Sequence, residues 1–417
     1  MIYPMNGHYF TPLDLTNFGG KSVTLGITSD CNLRCNYCYV KHKSSDRDMS
    51  IDLALKIIDT VFDKPHMYLD SARSDTNQSL PKNSPNRDLA RRVSIGFIGG
   101  EPLLRPDVID ASIARALQRN AEKRFPFEIR FSVTTNGVNY LSSRVQNLLH
   151  RYSDLLSVAL TIDGTEEMHD ACRVFPDGRG SYTKVVEAAR SWLSDFPAAT
   201  TKVTISPDNV QGLSEAIIHH WTKLGMQYVP ANPVFEDVWS ARDADVYESE
   251  LQRLADFLLQ ENLHSVFGTN LLDPNVGHPI DPANIANSCG GDGAMLYWSA
   301  DGDLYNCVRF APNSMEGRTP LKIGNVDAGY DLDALRRLTA ITRRSCSDDE
   351  CFYCEVASGC HYCTGANYEQ FGDPGIRSKA ICRLHQGRSR VCKQFFQQIK
   401  DSPRVGAADV VYMTPDE

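Results

Sequence analysis

Residues 22–39 read SVTLGITSDCNLRCNYCY, an apolar run that passes directly into three cysteines. The run over 22–28 is rich in β-branched and other apolar residues and ends in polar ones, which predicts a β-strand. The cysteines Cys31, Cys35 and Cys38 therefore follow the carboxyl end of a strand. In parallel α/β sheets the active sites lie at that edge, in the loops that follow the strands.

The same alternation of short apolar runs and longer helical patterns continues to residue 235. Five further strands are predicted, at 93–98, 128–134, 156–162, 202–205 and 227–230. Strand–helix units in series predict a parallel sheet with right-handed crossovers. Six units are fewer than the eight of a closed barrel. The expected fold is therefore α/β, a partial (β/α)6 TIM-like barrel.

Composition excludes several classes of protein. The 417 residues carry a net charge of −9, whereas a surface that tracks phosphates shows a basic excess. No apolar run approaches the roughly 20 residues that span a membrane, and residues 1–21 do not read as a signal peptide. We expect a cytoplasmic protein with no nucleic-acid and no membrane partner. In a reducing compartment, thirteen unevenly placed cysteines are more often metal ligands than disulfides.

The first three cysteines suit an iron–sulfur cluster with one open iron. Three thiolates hold three irons of a four-iron cluster, and an open metal position is where a substrate coordinates. A structural zinc site is the alternative, but no fourth Cys or His fits the local spacing. The pattern CxxxCxxC, with Tyr37 before the last cysteine, resembles the signature of the radical S-adenosylmethionine (SAM) superfamily.

The resemblance implies a SAM-binding [4Fe-4S] cluster at these cysteines, with Tyr37 against the adenine of SAM. An electron from the cluster would cleave SAM, and the 5′-deoxyadenosyl radical would abstract hydrogen from the substrate. The sequence Gly99-Gly100-Glu101-Pro102 follows the second predicted strand and resembles the family's GGEP motif, which grips the methionine amino group. Its two glycines would let the backbone approach a ligand closely.

Three more residues are implied to bind the cofactor. Thr161, after the fourth strand, would contact the ribose or carboxylate, Arg173 would bind the carboxylate, and Val234 would touch the adenine. Guanidinium geometry suits a carboxylate. The alternative is that Arg173 and His169, four residues earlier on one helix face, lie at the surface as salt-bridge partners.

A second group of cysteines lies in the C-terminal third: Cys289, Cys307, Cys346, Cys351, Cys354, Cys360, Cys363 and Cys382. It resembles the SPASM domain of radical enzymes that modify peptides, which carries two auxiliary [4Fe-4S] clusters. The resemblance assigns Cys351, Cys354, Cys360 and Cys382 to the cluster farther from the cofactor, and Cys289, Cys307 and Cys363 to the nearer one.

The fourth ligand of the nearer cluster stays open. Either the cluster has an open iron, or Cys346 supplies the last thiolate. A zinc ribbon is the alternative for the pair of CxxC motifs at 351–354 and 360–363. Cys172 and Cys392 match no ligand pattern and are interpreted as small buried hydrophobes.

The predicted organisation is an N-terminal segment at 1–21, a barrel at 22–235 with a mobile insertion at 70–92, a bridging region at 236–286 with a helix over 242–264, a SPASM domain at 287–392 and a C-terminal tail at 393–417. The insertion is rich in Ser, Asn, Pro, Asp and Arg.

Members with this architecture mostly act on peptides. One activity is cross-linking of a ribosomally made precursor peptide through a C–C, C–O or thioether bond, and the alternative is oxidation of a sulfatase Cys or Ser to formylglycine. Sulfatase-maturating enzymes place a catalytic Asp after the cysteine that Cys307 matches, and this chain has Val308 there. An apolar side chain cannot act as a general base, which favours cross-linking. Glu236, Asp237 and Asp303 are the candidate proton acceptors.

The implied partners are a precursor peptide, a flavodoxin- or ferredoxin-like electron donor and a separate leader-peptide-binding protein. The last is expected because about twenty residues before the first strand are too few for such a domain. A non-catalytic electron-transfer or sensor protein is the remaining alternative. It would need clusters but not Glu101, Thr161 or Arg173.

Overall fold

The computed structural model describes residues 22–69, 92–124, 126–287, 289–292 and 295–401. Four parallel strands stand side by side in chain order, namely β1 (Ser22–Gly26), β2 (Arg92–Ile98), β3 (Glu128–Thr135) and β4 (Leu156–Leu160). Two more, β5 (Val203–Ile205) and β6 (Ala231–Pro233), form a separate parallel pair. The predicted α/β fold with parallel strands is confirmed.

The helices of the described residues are α1 (Ile51–Asp63), α2 (Pro65–Tyr68), α3 (Pro106–Ala121), α4 (Ser143–Arg151), α5 (Glu166–Cys172), α6 (Tyr182–Asp195), α7 (Leu213–Leu224), α8 (Ala241–Gln260), α9 (Leu332–Thr339), α10 (Arg343–Cys346), α11 (Asp349–Phe352), α12 (Thr364–Phe371) and α13 (Cys382–Asp401). The first shows why they form. Ser50 caps α1 by accepting from the Leu53 N–H, and the residues Ala54, Ile57, Ile58, Val61 and Phe62 bury one helix face.

The sixth strand lies later than the sequence predicts. Residues 227–229 pair instead with the segment after α8, because the Val229 N–H donates to the Gly268 carbonyl and the Gly268 N–H to the Gln227 carbonyl. The ladder with β5 begins only at Ala231. The prediction of a strand at 227–230 is therefore wrong by a few residues.

The cysteine-rich C-terminal region continues the same sheet. Strand β7 (Met295–Trp298) pairs in parallel with β1, and β8 (Asp303–Tyr305), β9 (Gly324–Asn325) and β10 (Gly329–Tyr330) follow as an antiparallel meander. The close approach of β7 requires glycine at position 26, since a Cβ there would lie 2.1 Å from the Tyr297 phenol oxygen. The barrel and the second cysteine group are thus built on one eight-stranded sheet.

The C-terminal helix α13 packs against α8, which matches the helix expected over 242–264 except at its end. The boundary proposed at residue 392 falls inside α13, because the buried residues Val391, Phe395 and Ile399 continue the apolar face. The segment 1–21, the insertion 70–92 except Arg92, and the tail beyond Asp401 lie outside the described residues. Among the described helices, none is long and apolar enough to cross a membrane.

Candidate active site

The three cysteines of the first motif lie together after β1. The pKa of the Cys31 thiol is raised to about 11, chiefly by burial; the Leu33 N–H opposes the shift, and Glu101, Cys35 and Cys38 add to it. The loop is fastened by backbone bonds from Arg34 to the Val174 carbonyl at 2.7 Å and from Asn36 to the Cys172 carbonyl at 3.1 Å. Grouped thiolates in such a setting need positive charge beside them. Bound iron supplies that charge, so the donor set fits an iron–sulfur cluster.

Gly99 and Gly100 bring the end of β2 against the cysteine loop. A Cβ at Gly99 would lie 2.3 Å from the Thr28 carbonyl oxygen, and one at Gly100 would lie 2.0 Å from the Asp30 oxygen. The Gly100 N–H donates to the Thr28 carbonyl at 2.7 Å. The predicted close approach is therefore to the chain's own backbone, because the two loops lie in direct contact there. Cofactor binding by the glycines stays a prediction.

Glu101 is buried and links its own turn to the end of β3. Its carboxylate accepts from the Thr135 hydroxyl at 2.7 Å, from the Leu103 N–H at 3.0 Å and from the Asn136 N–H at 2.8 Å. Burial raises the pKa of Glu101, and these donors oppose the shift. A carboxylate has about four acceptor positions. One position therefore remains for an ammonium group such as that of methionine.

Tyr37, Asp163 and Arg173 form a buried network next to the cysteines. The Tyr37 phenol donates to the Asp163 carboxylate, and Arg173 Nη1 donates to the phenol oxygen at 2.8 Å. Asp163 also accepts from the Thr204 N–H at 2.9 Å. Arg173 Nε is buried and has no hydrogen-bond partner among the described residues. An orphaned guanidinium N–H beside Cys35 fits a missing acceptor on a ligand.

His169 is not part of a surface pair. It is fully buried, accepts at Nδ1 from the Asp163 N–H at 3.2 Å, and has Nε2 3.0 Å from the Ser181 hydroxyl. Burial lowers the pKa of His169 well below its ordinary value, and Arg173 acts in the same direction. The surface alternative for this pair is contradicted, since both side chains point inward.

Thr161 and Val234 follow strand ends on the same side of the molecule. The Thr161 N–H donates to the Thr135 carbonyl at 3.0 Å, and the Val234 N–H donates to the Ile205 carbonyl at 2.9 Å. Both side chains are half-buried. Their contacts with a cofactor stay predictions.

The thiols of Cys289, Cys307 and Cys363 form a second group. Burial raises the pKa of Cys307 to about 12, and Cys363 adds to the shift, as does Cys289. Cys363 also caps α12, with its sulfur 3.4 Å from the Ala366 N–H. The three sulfurs come from three separate segments, which suits a shared cluster.

Cys346 is buried beside Tyr362. Its sulfur contacts the Arg343 carbonyl at 3.7 Å and hydrogen-bonds with the Tyr362 phenol, whose pKa Cys289 also raises. Cys346 and Cys289 thus share one neighbour. The open iron and Cys346 as the fourth ligand both stay predictions.

A third group consists of Cys354, Cys360 and Cys382. After burial, Arg377 has the largest effect on the pKa of Cys360, followed by Cys382 and Cys354. Arg377 donates to the Cys360 sulfur at 3.1 Å. Burial raises the pKa of Cys351, whereas Arg377 and Lys379 lower it. Cys351 and Cys360 therefore share Arg377 as a neighbour. That these four cysteines share one cluster is implied by the SPASM resemblance and stays a prediction.

The zinc ribbon stays the alternative interpretation of the two CxxC motifs. Within the described ranges, no three His, Cys, Asp or Glu side chains are spaced to hold one metal ion. A zinc ion needs its ligands around one point, whereas each thiolate of a four-iron cluster binds a different iron.

All three predicted proton acceptors are already engaged. Glu236 forms an ion pair with Arg309 at 2.7 Å. Asp237 accepts from Gln370 at 3.0 Å at the surface. Asp303 accepts from Lys322 at 3.2 Å and Asn325 at 2.7 Å in the β8–β9 hairpin. The structure gives no support to any of them as a free base.

Lys202 was missed in the sequence. Val203 and Ile205 of β5 are fully buried, so strand alternation places Lys202 and Thr204 on the opposite face, where Lys202 is exposed to solvent. Desolvation by the surrounding protein atoms lowers the pKa of Lys202, Asp163 opposes the shift and Arg309 adds to it. Among the described residues, the ammonium has no hydrogen-bond or ion-pair partner. The alternation of polar and apolar residues in Lys202-Val203-Thr204-Ile205 could have predicted that Lys202 lies on the face opposite Val203.

The chain is similar in sequence to two anaerobic sulfatase-maturating enzymes. No protein-family model matches the chain. The serine-type anaerobic sulfatase-maturating enzyme of Bacteroides thetaiotaomicron is 23% identical over 310 residues, 67% of each chain. The cysteine-type anaerobic sulfatase-maturating enzyme of Clostridium novyi is 21% identical over 258 residues, 59% of this chain and 62% of the relative. The chain thus spans about two thirds of the length of these relatives.

The fold also matches solved structures. Native anSMEcpe with bound AdoMet gives a TM-score of 0.64 at 15% identity, covering 91% of this chain and 99% of that one. Streptococcus suis SuiB bound to precursor peptide SuiA gives 0.53 at 13% identity, covering 87% and 76%. The fold is that of radical SAM enzymes, and the resemblance seen in the cysteine motifs is confirmed. The chain is a relative of the radical SAM anaerobic sulfatase-maturating enzymes.

Proposed function

We propose that this protein is a radical SAM peptide maturase that abstracts hydrogen from a side chain of a ribosomally made precursor peptide and forms an intramolecular cross-link. The observation that carries the proposal is the convergence of three thiols, the buried Glu101 carboxylate and the unpaired Arg173 Nε at one sheet edge. A non-catalytic cluster protein would not need the last two groups.

The bound cluster and SAM would supply the 5′-deoxyadenosyl radical. Cys31, Cys35 and Cys38 would hold the cluster, Glu101 would accept from the methionine ammonium, and Arg173 would donate to the methionine carboxylate. Each of these groups is held by contacts already present. Preorganised groups lower the cost of orienting a ligand.

Cross-linking through a C–C, C–O or thioether bond is proposed because of the residue beside the second thiol group. Val308 is 8% exposed and follows Cys307. It cannot accept the proton that formylglycine formation releases. Glu236, the acidic side chain in contact with the next residue, is paired with Arg309.

Sulfatase maturation is the second candidate, because the two named relatives are sulfatase-maturating enzymes. A peptide substrate suits both candidates, since anSMEcpe was solved with the Cp18Cys peptide and SuiB with precursor peptide SuiA. Incubation with Cp18Cys separates them. We expect no formylglycine, and its formation would establish the second candidate.

The proposed cofactors are SAM and three [4Fe-4S] clusters, one at the first motif and two at the auxiliary groups. The proposed partners are the precursor peptide, a flavodoxin- or ferredoxin-like electron donor and a separate leader-peptide-binding protein. The two auxiliary thiol groups support the cluster count.

The central test is release of 5′-deoxyadenosine from anaerobically reconstituted protein with dithionite and SAM. The Cys31, Cys35 and Cys38 to Ala triple variant should abolish release and keep about two clusters' worth of iron. Cys392→Ala is the matched control, since Cys392 is buried away from the motifs and should retain full release. No release from iron-loaded wild type would refute the proposal.

A further inference from the structure

Arg309 lies where three parts of the molecule meet. Its Nη1 is 2.7 Å from Glu236 Oε1, in the segment after β6, and its side chain is only 13% exposed. The guanidinium carbon lies 5.8 Å from the centroid of the Tyr39 ring, next to the first cysteine motif. The backbone of Arg309 belongs to the turn that follows Cys307.

The same guanidinium faces the thiols of the second group. Burial lowers the pKa of Arg309, but its neighbours raise the pKa by more. Cys363 raises it most, ahead of Glu236, and Cys307 acts in the same direction. Gly365 permits this packing, because a Cβ at Gly365 would lie 2.4 Å from the Arg309 Cβ. The charge is therefore fixed beside the sulfurs by the fold.

A fixed positive charge beside an iron–sulfur group changes the reduction potential of that group. Reduction of an iron–sulfur group adds one negative charge, and its potential depends on net charge, hydrogen bonds and exposure. Charges interact more strongly in the protein interior than in water. A buried guanidinium therefore favours the reduced form of a neighbouring cluster.

We propose that Arg309 raises the reduction potential of the auxiliary iron–sulfur group held by Cys289, Cys307 and Cys363. The inference rests on the proposed function, because it assumes a cluster at these thiols. The step concerned is a one-electron reduction in which no bond forms or breaks and no proton moves. After hydrogen abstraction, formation of the cross-link leaves one electron on the substrate that must be removed. A higher reduction potential makes this iron–sulfur group a better acceptor of that electron.

Glu236 gives the inference its sharpest check. Its carboxylate partly neutralises Arg309, so its removal leaves the full positive charge beside the thiols. Arg309→Gln and Glu236→Gln should therefore shift the potential in opposite directions. A purely structural role of the ion pair would shift both variants in the same way, because each change breaks the same contact.

The experiment is an EPR-monitored redox titration of the full chain, reconstituted with iron and sulfide, without SAM or peptide and with dithionite as reductant. The triple Ala variant of the first motif serves as background, which removes the signal of that cluster. Arg318→Gln is the matched control, because Arg318 is an exposed arginine that bonds only backbone carbonyls.

We expect one midpoint potential to become more negative in Arg309→Gln, to become more positive in Glu236→Gln, and to be unchanged in Arg318→Gln. Unchanged potentials in Arg309→Gln with full iron content would overturn the inference. If Arg309→Gln loses iron, Glu236→Gln decides, and an unchanged or more negative potential there overturns it. The measurement needs no turnover, so absent 5′-deoxyadenosine release would count against the proposed function alone.

Discussion

Arg173 donates through Nη1 to the phenol oxygen of Tyr37 at 2.8 Å, which fixes the aromatic residue of the cysteine motif from a different strand–helix unit. The phenol donates onward to Asp163, whose backbone N–H is held by His169. One guanidinium edge thus holds the cysteine loop, and the buried Nε is left for a ligand.

The first prediction concerns Arg173→Lys. Lysine keeps the charge but has no counterpart to Nε, so SAM should lose a charge-assisted hydrogen bond worth about 1.5–3 kcal/mol. The dissociation constant of SAM should rise about tenfold or more. Equilibrium dialysis on reconstituted protein measures it, with Arg179→Lys as an exposed control. Equal affinities of Arg173→Lys and wild type would exclude Arg173 from the cofactor site.

The second prediction concerns Gly100→Ala. The added Cβ would lie 2.0 Å from the Asp30 carbonyl oxygen, so the cysteine loop must shift. We expect a loss of about 1–3 kcal/mol in stability, seen as a lower thermal midpoint, together with reduced iron at the first motif. Gly212→Ala is the control, because its Cβ would meet Met168 at an ordinary 3.5 Å. If Gly100→Ala keeps the thermal midpoint and the iron content of the wild type, the contact with the Asp30 carbonyl is not tight.

The third prediction concerns Cys346→Ala. The sulfur of Cys346 contacts Arg343 and Tyr362. If the nearer auxiliary cluster keeps an open iron, Cys346 is not a ligand, and iron per chain should remain at the wild-type value. Cys363→Ala, by contrast, should lose the iron of the nearer auxiliary cluster. Colorimetric iron analysis after anaerobic reconstitution gives both numbers. Iron loss in Cys346→Ala equal to that in Cys363→Ala would make Cys346 a ligand.

The fourth prediction concerns the pH at which Lys202 becomes reactive. Desolvation by neighbouring protein atoms lowers its pKa and Arg309 adds to that shift, so the neutral amine should appear below the value of about 10.4 found for lysine in peptides. Competitive acetylation across pH, read by mass spectrometry, gives the pH of half-maximal labelling of Lys202.

The controls for Lys202 use the same side chain. Labelling of the unfolded chain gives its reference value, and Arg309→Gln should raise the folded value, because a nearby positive charge is removed. A half-maximal pH in the folded protein equal to or above the unfolded one would contradict the prediction.

Much of the fold and of the first site is predictable from the sequence, because local patterns carry them. Alternating apolar runs and cap residues define the parallel strands and helices near their observed bounds. The spacing of Cys31, Cys35 and Cys38 is short enough to group the thiols on one loop. Cys307 and Cys363 are far apart in the chain, so local spacing does not group them. Their assignment to one cluster comes from the resemblance of the whole motif.

Contacts between distant segments were decided only by the tertiary structure. The pairing of β7 with β1 and the Arg309–Glu236 ion pair each join residues far apart in the chain. A sequence names an acidic residue such as Glu236 but not the partner that occupies it. The sequence thus determined which groups are candidates to bind iron and SAM, and packing decided which charged side chains are paired, because burial makes an unpaired charge costly.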